Sequence, residues 1–229
     1  MGSRPMNHKE GVKMATRTTP GEGDYNLSHP INSFVDVARR VVLQPVRFFA
    51  GLPRDRNFVS PLLFALICIE ISAILGWLLV ISGVGSSPGF NPNPQNVGLP
   101  SVVAIGWESP GSAVASILLA PIWGAVGIFL VSLIQQLLVR LIVGATNSGF
   151  QATFRVASYT QVTSLVNWIP FIGPLLALYG IYLSIVGIRE MHETTTGKAA
   201  LVVLMPFIVG LLLALLGLLA AGAVFFSQR

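Results

Sequence analysis

Apolar residues in this chain fall in long unbroken runs separated by short polar joints. Helices that cross a bilayer read this way; helices that bury only one face do not. The first run extends from about Val59 to Gly83, with Pro61 suited to its first turn. The second begins near Ser112 and ends near Gly144, longer than the roughly 20 residues a crossing needs, so it tilts or protrudes. Trp123 and Arg140 suit the two interfaces as its anchors. The last runs from about Ala199 to Phe226, with a kink expected at Pro206.

The middle of the chain is less regular. Residues 84–111 are rich in Gly, Pro, Asn and Ser and carry no Lys or Arg. Such backbone would stay unpaired in lipid, so this stretch reads as a long loop on the extracytoplasmic side. Thr153 to Trp168 is short and polar for a span, and Ile169-Pro170-Phe171-Ile172-Gly173-Pro174 is a tight turn signal before a second apolar stretch to Arg189. As a single crossing, this region would put Arg155 opposite Arg189 and Lys198. As a helical hairpin over 153–189 it returns all three to one side. Whether the hairpin crosses fully or is a shallow re-entrant loop stays open, because both end on the same face. The full version gives five crossings, which is the expected count.

Before the first run the pattern changes twice. Residues 1–30 have almost no aliphatic content and read as a disordered cytoplasmic tail. From 31 to 58 the periodicity is helical: Ile31, Phe34, Val35, Ala38, Val41 and Val42 share a face, extended past Pro45 by Phe48, Phe49 and Leu52. Pro45 lacks an N–H, so two short helices should meet there. Arg39, Arg40 and Arg47 lie on other faces. They, with Phe48 and Phe49, are the candidate lipid-interface residues of an amphipathic segment lying along the bilayer surface. Packing of the apolar face on the chain's own bundle is the competing expectation.

Charge sets the orientation. Of 14 Lys and Arg, nine precede the first run, and Arg140, Arg155, Arg189 and Lys198 fall in later joints; only Arg229 is left over. With the N-terminus in the cytoplasm and five crossings, thirteen of the 14 lie inside. The fold class is therefore all-α: a polytopic membrane bundle of five transmembrane helices over 59–229, preceded by an amphipathic interfacial segment. At 53% hydrophobic and 10% charged, the chain is no ordinary soluble domain. Its net charge of +5 points to anionic headgroups at the cytoplasmic face rather than to nucleic acid. The single cysteine, Cys68, excludes an intrachain disulfide and a cysteine cluster. The polar start shows no cleavable signal peptide and no myristoylation pattern, so the first span is expected to serve as the insertion signal.

Few residues invite chemistry. Glu70 is 11 residues into the first run, roughly 16 Å deep, where an isolated carboxylate is costly. It is the centre of a candidate intramembrane polar site with Gln161, Ser164, Tyr179 and Tyr182, and with Thr163 as a further partner at equal depth. The functional reading is a proton or ion site; the structural one is a protonated acid bonding two helices. His192, between Glu190 and Glu193, reads as a solvated turn rather than a metal site. No catalytic motif, cofactor-binding loop or metal set is present in the sequence. Small residues recur at spacings of four and three: Gly173, Ala177, Gly180, Ser184 and Gly187 in one stretch, Gly210, Ala214 and Gly217 in another. These are expected helix-packing faces, open also to a homo-oligomeric contact.

Several stretches carry a family likeness. Phe154-Arg155-x-x-x-Tyr159, Ile169-Pro170-x-Ile172-Gly173, Gly187-Ile188-Arg189-Glu190-x-His192 and Gly197-Lys198-Ala199, with Gln44-Pro45-Val46-Arg47-Phe48-Phe49 upstream, resemble the Yip-type (Ypt/Rab-interacting protein) domain family over roughly 38–226. The resemblance implies five helices and a cytoplasmic N-terminus. Its eukaryotic members act in vesicle traffic with Rab partners. This chain lacks their Asp-Leu-Tyr-Gly-Pro-like segment and looks more like the prokaryotic branch, so the Rab partnership is not carried over. The expected role is a non-enzymatic membrane protein working through lipid or unidentified protein partners. It would sit in the cell membrane if prokaryotic, and in the endoplasmic reticulum or Golgi if eukaryotic. The alternatives are a small transporter or channel built on Glu70, Gln161, Ser164 and Asn167, and a membrane enzyme using His192 and Glu190.

Overall fold

The computed structural model describes residues 24–53, 58–82, 110–144, 147–167, 169 and 172–227. Among these the regular structure is helical. α1 (Pro30–Leu43) and α2 (Pro45–Gly51) meet at Gln44, whose N–H caps α1 by bonding the Arg40 carbonyl at 2.9 Å. Pro45 supplies the break, since it has no N–H to continue α1 and suits the first position of α2. The expected pair of short helices is therefore present.

Among the described residues three helices are long and apolar enough to cross a membrane: α3 (Val59–Ile81), α4 (Pro110–Ile142) and α8 (Thr196–Ser227). α4 ends where Gly144 takes φ +104, a left-handed conformation that closes a helix at little cost for glycine. Pro121 and Pro206 both lie inside helices. Of the expected loop at 84–111, residues 84–109 lie outside the described residues, and 110–111 already belong to α4.

The polar third block is α5 (Phe150–Tyr159), a tight 3-10 turn (Thr160–Thr163) and α6 (Ser164–Asn167); α7 (Ile172–Met191) follows. α5 explains why it could be polar. Every residue from Ala152 to Tyr159 is buried, with α3, α4 and α7 packed around it. A helix covered on all sides meets no lipid, so its polar groups need only find protein partners. Aromatic contacts seal one flank, with Phe154 ring centroids 4.7 Å from Phe129 and 5.1 Å from Phe58.

Apolar side chains instead cover the outside. On α4, Leu118, Ile122, Leu130, Leu133, Leu137 and Leu141 are exposed, and on α8 nearly every described side chain from Leu204 to Leu219 is exposed. An aliphatic exterior around an interior that also holds Ser132, Gln136, Thr153 and Arg155 is what a hydrocarbon solvent selects.

The small-residue faces behave differently on the two helices. A Cβ on Gly187 would stand 2.6 Å from Val156 Cγ1, and one on Gly180 would stand 3.3 Å from Thr163 Oγ1, so these glycines admit α5 and the turn. Gly173 is buried, whereas Ala177 is exposed. Gly210 and Gly217 have nothing within 4 Å, and Ala214 is exposed. The α8 stripe is not a contact between the described helices of this chain.

Residues 1–23 of the expected tail lie outside the described residues. Asp24 and Tyr25 depart from that expectation, because Asp24 pairs with Arg155 and Tyr25 is buried in the core with its ring edge against Phe64 at 6.2 Å, whereas Asn26 to His29 are exposed. Phe48 and Phe49, expected at the lipid interface or packed on the bundle, follow the second expectation. Both are buried, Phe48 against Tyr159 at 5.1 Å, so they anchor α2 to the bundle instead of entering lipid. Arg39 and Arg47 are exposed, and Arg40 pairs with Asp36 one turn earlier.

Candidate functional site

The expected constellation around Glu70 does not assemble. Glu70 Oε2 is buried and has no hydrogen-bond partner among the described residues. The proposed partners bond elsewhere. Thr163 donates to the Thr160 carbonyl at 3.0 Å, Ser164 to the Gln161 carbonyl at 2.7 Å, and Tyr179 to the Val42 carbonyl at 2.5 Å. The Tyr182 ring lies 5.6 Å from that of Tyr179, tilted by 34°, and is exposed. Gln161 lines a cavity of about 220 Å³ between α4, α7 and α8, and Glu70 is not among its lining residues. The side chain of Asn167 lies outside the described residues.

Two polar clusters that the sequence did not join occupy the centre instead. In the first, Arg155 is 1% exposed and its NH1 donates to Asp24 Oδ2 at 2.9 Å. The Tyr159 hydroxyl, one helical turn on, donates to Asp24 Oδ1, and the Tyr25 N–H donates to the same hydroxyl oxygen at 3.2 Å. An i, i+4 pair on α5 thus grips both oxygens of one carboxylate. Arg155, read from sequence as a joint cation marking the cytoplasmic side, is a core residue.

The second cluster ties the α4–α5 joint to the end of α7. His192 is 3% exposed, so the solvated turn expected there is not what forms. Its Nδ1 accepts the Ser148 N–H at 3.2 Å, which leaves the proton on Nε2; that nitrogen lies 2.9 Å from Thr153 Oγ1. Thr153 donates its own hydroxyl hydrogen bond to Gln136 Oε1 at 2.5 Å, and Gln136 Nε2 donates to Asn147 Oδ1 at 2.9 Å. Asn147 closes the set by accepting the Gly149 N–H at 2.9 Å and donating to the Gly144 carbonyl at 2.7 Å. Each donor has its acceptor in order, which is the condition for burying such groups without loss. Glu190 pairs with Arg189 at 2.6 Å, away from this chain of bonds. Among the described residues, no three His, Cys, Asp or Glu side chains converge as a metal would require.

These arrangements hold helices together: the Thr153 hydroxyl of α5 bonds Gln136 of α4 and His192 just past α7, and the Tyr159 hydroxyl bonds Asp24. Sequence reasoning missed the first because Asp24 and Arg155 lie 131 residues apart. A signal for the second existed in the buried-type neighbours of His192, Met191 and Ile188, which share its helix end.

Searches of curated proteins and of solved structures each returned no match. A family model for the Yip1 domain matches residues 39–218, from within α1 nearly to the end of α8 and through every cluster described above except its Asp24 arm. With well over half the chain covered, the earlier likeness is a membership: this chain belongs to the Yip1 domain family.

Proposed function

We propose that this protein is a non-enzymatic organiser of membranes, crossing the bilayer five times, with α1 and α2 forming a collar that draws anionic lipid and protein partners to the cytoplasmic face. The observation that carries this reading is the two-sided α1. Val37 and Val41 are buried against the bundle, while Ile31, Val35 and Leu43 are exposed beside Arg39. A helix that only covered its own core would gain nothing from an outward aliphatic edge. One lying in the interface sinks that edge among acyl chains and sets its cations among headgroups, each worth about 1 kcal/mol near an anionic surface.

Helix lengths support the five crossings. The 20 residues of α7 reach roughly 30 Å, and the run from Phe150 to Asn167 reaches roughly 27 Å, both near the hydrocarbon thickness. Family membership and the three long apolar helices mark a membrane protein; the particular membrane and partners belong to the proposal. A transport reading draws less support, because Glu70 stands apart from the polar cavity.

The test uses the full chain in nanodiscs with nitroxide labels at Val35→Cys and Leu43→Cys, read by oxygen and nickel accessibility. Both labels should sit at the acyl boundary in anionic lipid and move toward water in the double variant Arg39→Glu, Arg47→Glu. Equal nickel access in both proteins would count against the collar. Partner capture should be compared across the same variants. Deleting residues 1–58 would be uninformative, since it removes Tyr25, Val37 and Phe49 from the core.

A further inference from the structure

The 220 Å³ cavity has a polar floor and an apolar mouth. Gln135 of α4 and Thr160 of the 3-10 turn are buried. Val131 of α4 is 48% exposed, Phe207 of α8 is 61% exposed, and Ala177 of α7 is exposed, so the mouth opens sideways, toward the lipid-facing surface. Depth follows from helix arithmetic. Gln135, Ser184 and Val203 are each seven residues from the end of their helix nearest Arg140, Arg189 and Lys198, roughly 10 Å. Gly180 and Phe207 are each 11 residues from those ends, roughly 16 Å. The cavity therefore reaches the middle of a hydrocarbon layer roughly 30 Å thick.

Its hydrogen-bonding character leans toward acceptors, the side-chain amides of Gln135 and Gln161 being the donors in its lining. Thr160 donates its hydroxyl to the Val156 carbonyl at 2.9 Å, Thr163 to the Thr160 carbonyl at 3.0 Å, and Ser184 to the Gly180 carbonyl at 2.9 Å. A hydroxyl has one hydrogen, so these three oxygens have only lone pairs left. Gln135 Oε1 is buried with no partner among the described residues, a costly state in hydrocarbon unless a donor arrives. None of the described lining residues is charged. An anionic or zwitterionic head entering from the side would meet no counter-charge.

We propose that this cavity is a lateral binding site for a neutral, hydroxyl-bearing lipid, whose hydroxyl donates to Gln135 Oε1 while its chains leave past Val131 and Phe207. The occupant must supply a donor, carry no charge and present an apolar body at mid-membrane depth. A mono-ol with acyl chains meets all three conditions. Water, at about 30 Å³ each, would fill the space with roughly seven molecules and is the competing occupant.

The test is photolabelling of the full chain in phosphatidylcholine nanodiscs with a diacylglycerol carrying a diazirine in one acyl chain. Labelling should concentrate on peptides containing Val131 and Phe207, and a roughly tenfold excess of plain diacylglycerol should reduce it about tenfold, as equal-affinity competition for one saturated site requires. Triacylglycerol of the same chains, which lacks the hydroxyl, should leave it nearly unchanged. Gln135→Leu should lower labelling about tenfold without lowering the melting temperature, since it removes an unpaired amide. Ala177→Phe, at the exposed rim, should block entry. Equal competition by the two lipids, labelling spread evenly along α8, or full labelling of Gln135→Leu would each overturn the proposal and leave water as the occupant. The wild-type competition stands on its own should either variant fail to fold.

Discussion

Arg155 and Asp24 meet at 2.9 Å inside the bundle, and neither side chain is more than 8% exposed. Through this pair the segment before α1 is fastened to α5, the helix that α3, α4 and α7 surround. The Tyr159 hydroxyl holds the second carboxylate oxygen, so the joint resists rotation as well as separation.

Breaking one side of that pair should be far worse than removing both. Arg155→Met strands a buried carboxylate, and Asp24→Asn strands a guanidinium; each is expected to cost about 3–5 kcal/mol. The double variant replaces the pair by neutral groups and should recover much of the loss. Tyr159→Phe forfeits two hydrogen bonds, the one given to Asp24 and the one accepted from the Tyr25 N–H, and should cost about 1–3 kcal/mol. Unfolding in mixed micelles, read by tryptophan fluorescence as a double-mutant cycle, gives the coupling; purely additive losses would show that the pair contributes nothing.

The two glycine-bearing helices offer an internal comparison. Gly187→Ala puts a methyl 2.6 Å from Val156 Cγ1, 3.0 Å from Cγ2 and 3.3 Å from Phe49 Cε1. Val156 sits mid-helix, where a β-branched side chain has one favoured rotamer and little room to yield. A loss of about 1–3 kcal/mol is expected. Gly217→Ala meets nothing within 4 Å and should gain up to about 1 kcal/mol from helix propensity. Melting temperatures of opposite sign would confirm the difference, and equal shifts would contradict it.

That comparison also marks what a sequence can and cannot convey. The spans of α3, α4 and α8 were legible because lipid is a uniform solvent, and a long aliphatic run has one sensible place in it. The break at Pro45 was legible because it is a local backbone effect. Spacing of small residues gave a face on α7 and on α8 alike, but not whether anything approaches that face. Glu70 could be assigned a depth from its position in the run; its direction around the helix depends on neighbours that periodicity alone does not supply. Arg155 was misread for a related reason. A cation between apolar runs usually marks a joint, and only the long-range partner Asp24 makes burial affordable.

His192 should prove to be a structural residue whose loss is local. His192→Leu removes the acceptor of the Ser148 N–H, which is left half-buried without it, and the donor to Thr153, whose hydroxyl keeps its bond to Gln136. The expected cost is about 1–3 kcal/mol, from one orphaned group at the usual penalty. Hydrogen exchange offers a sharper readout than stability. The Ser148 and Gly149 amides should lose protection first, since Asn147 and Gln136 depend on the same chain of bonds. Unchanged exchange at Ser148 would show that the imidazole does not hold the joint.

The number of crossings can be settled by labelling, because the native cysteine is out of the way. Cys68 is the single cysteine and is buried in α3, so introduced thiols can be read against a quiet background. Thr195→Cys, in the joint before α8, should react with an impermeant maleimide only from the side that carries the basic joints. Ser82→Cys, at the far end of α3, should react only from the opposite side. Ile169→Cys, between α6 and α7, is the discriminating position. Reaction from the same side as Ser82→Cys means that the hairpin crosses fully and the chain has five spans. Protection there, or reaction from the side of Thr195→Cys, means a shallow re-entrant hairpin and three spans. In that case, the roughly 30 Å of α7 would have to lie oblique in one leaflet, and the mid-membrane depth of Gly180 would have to be redrawn.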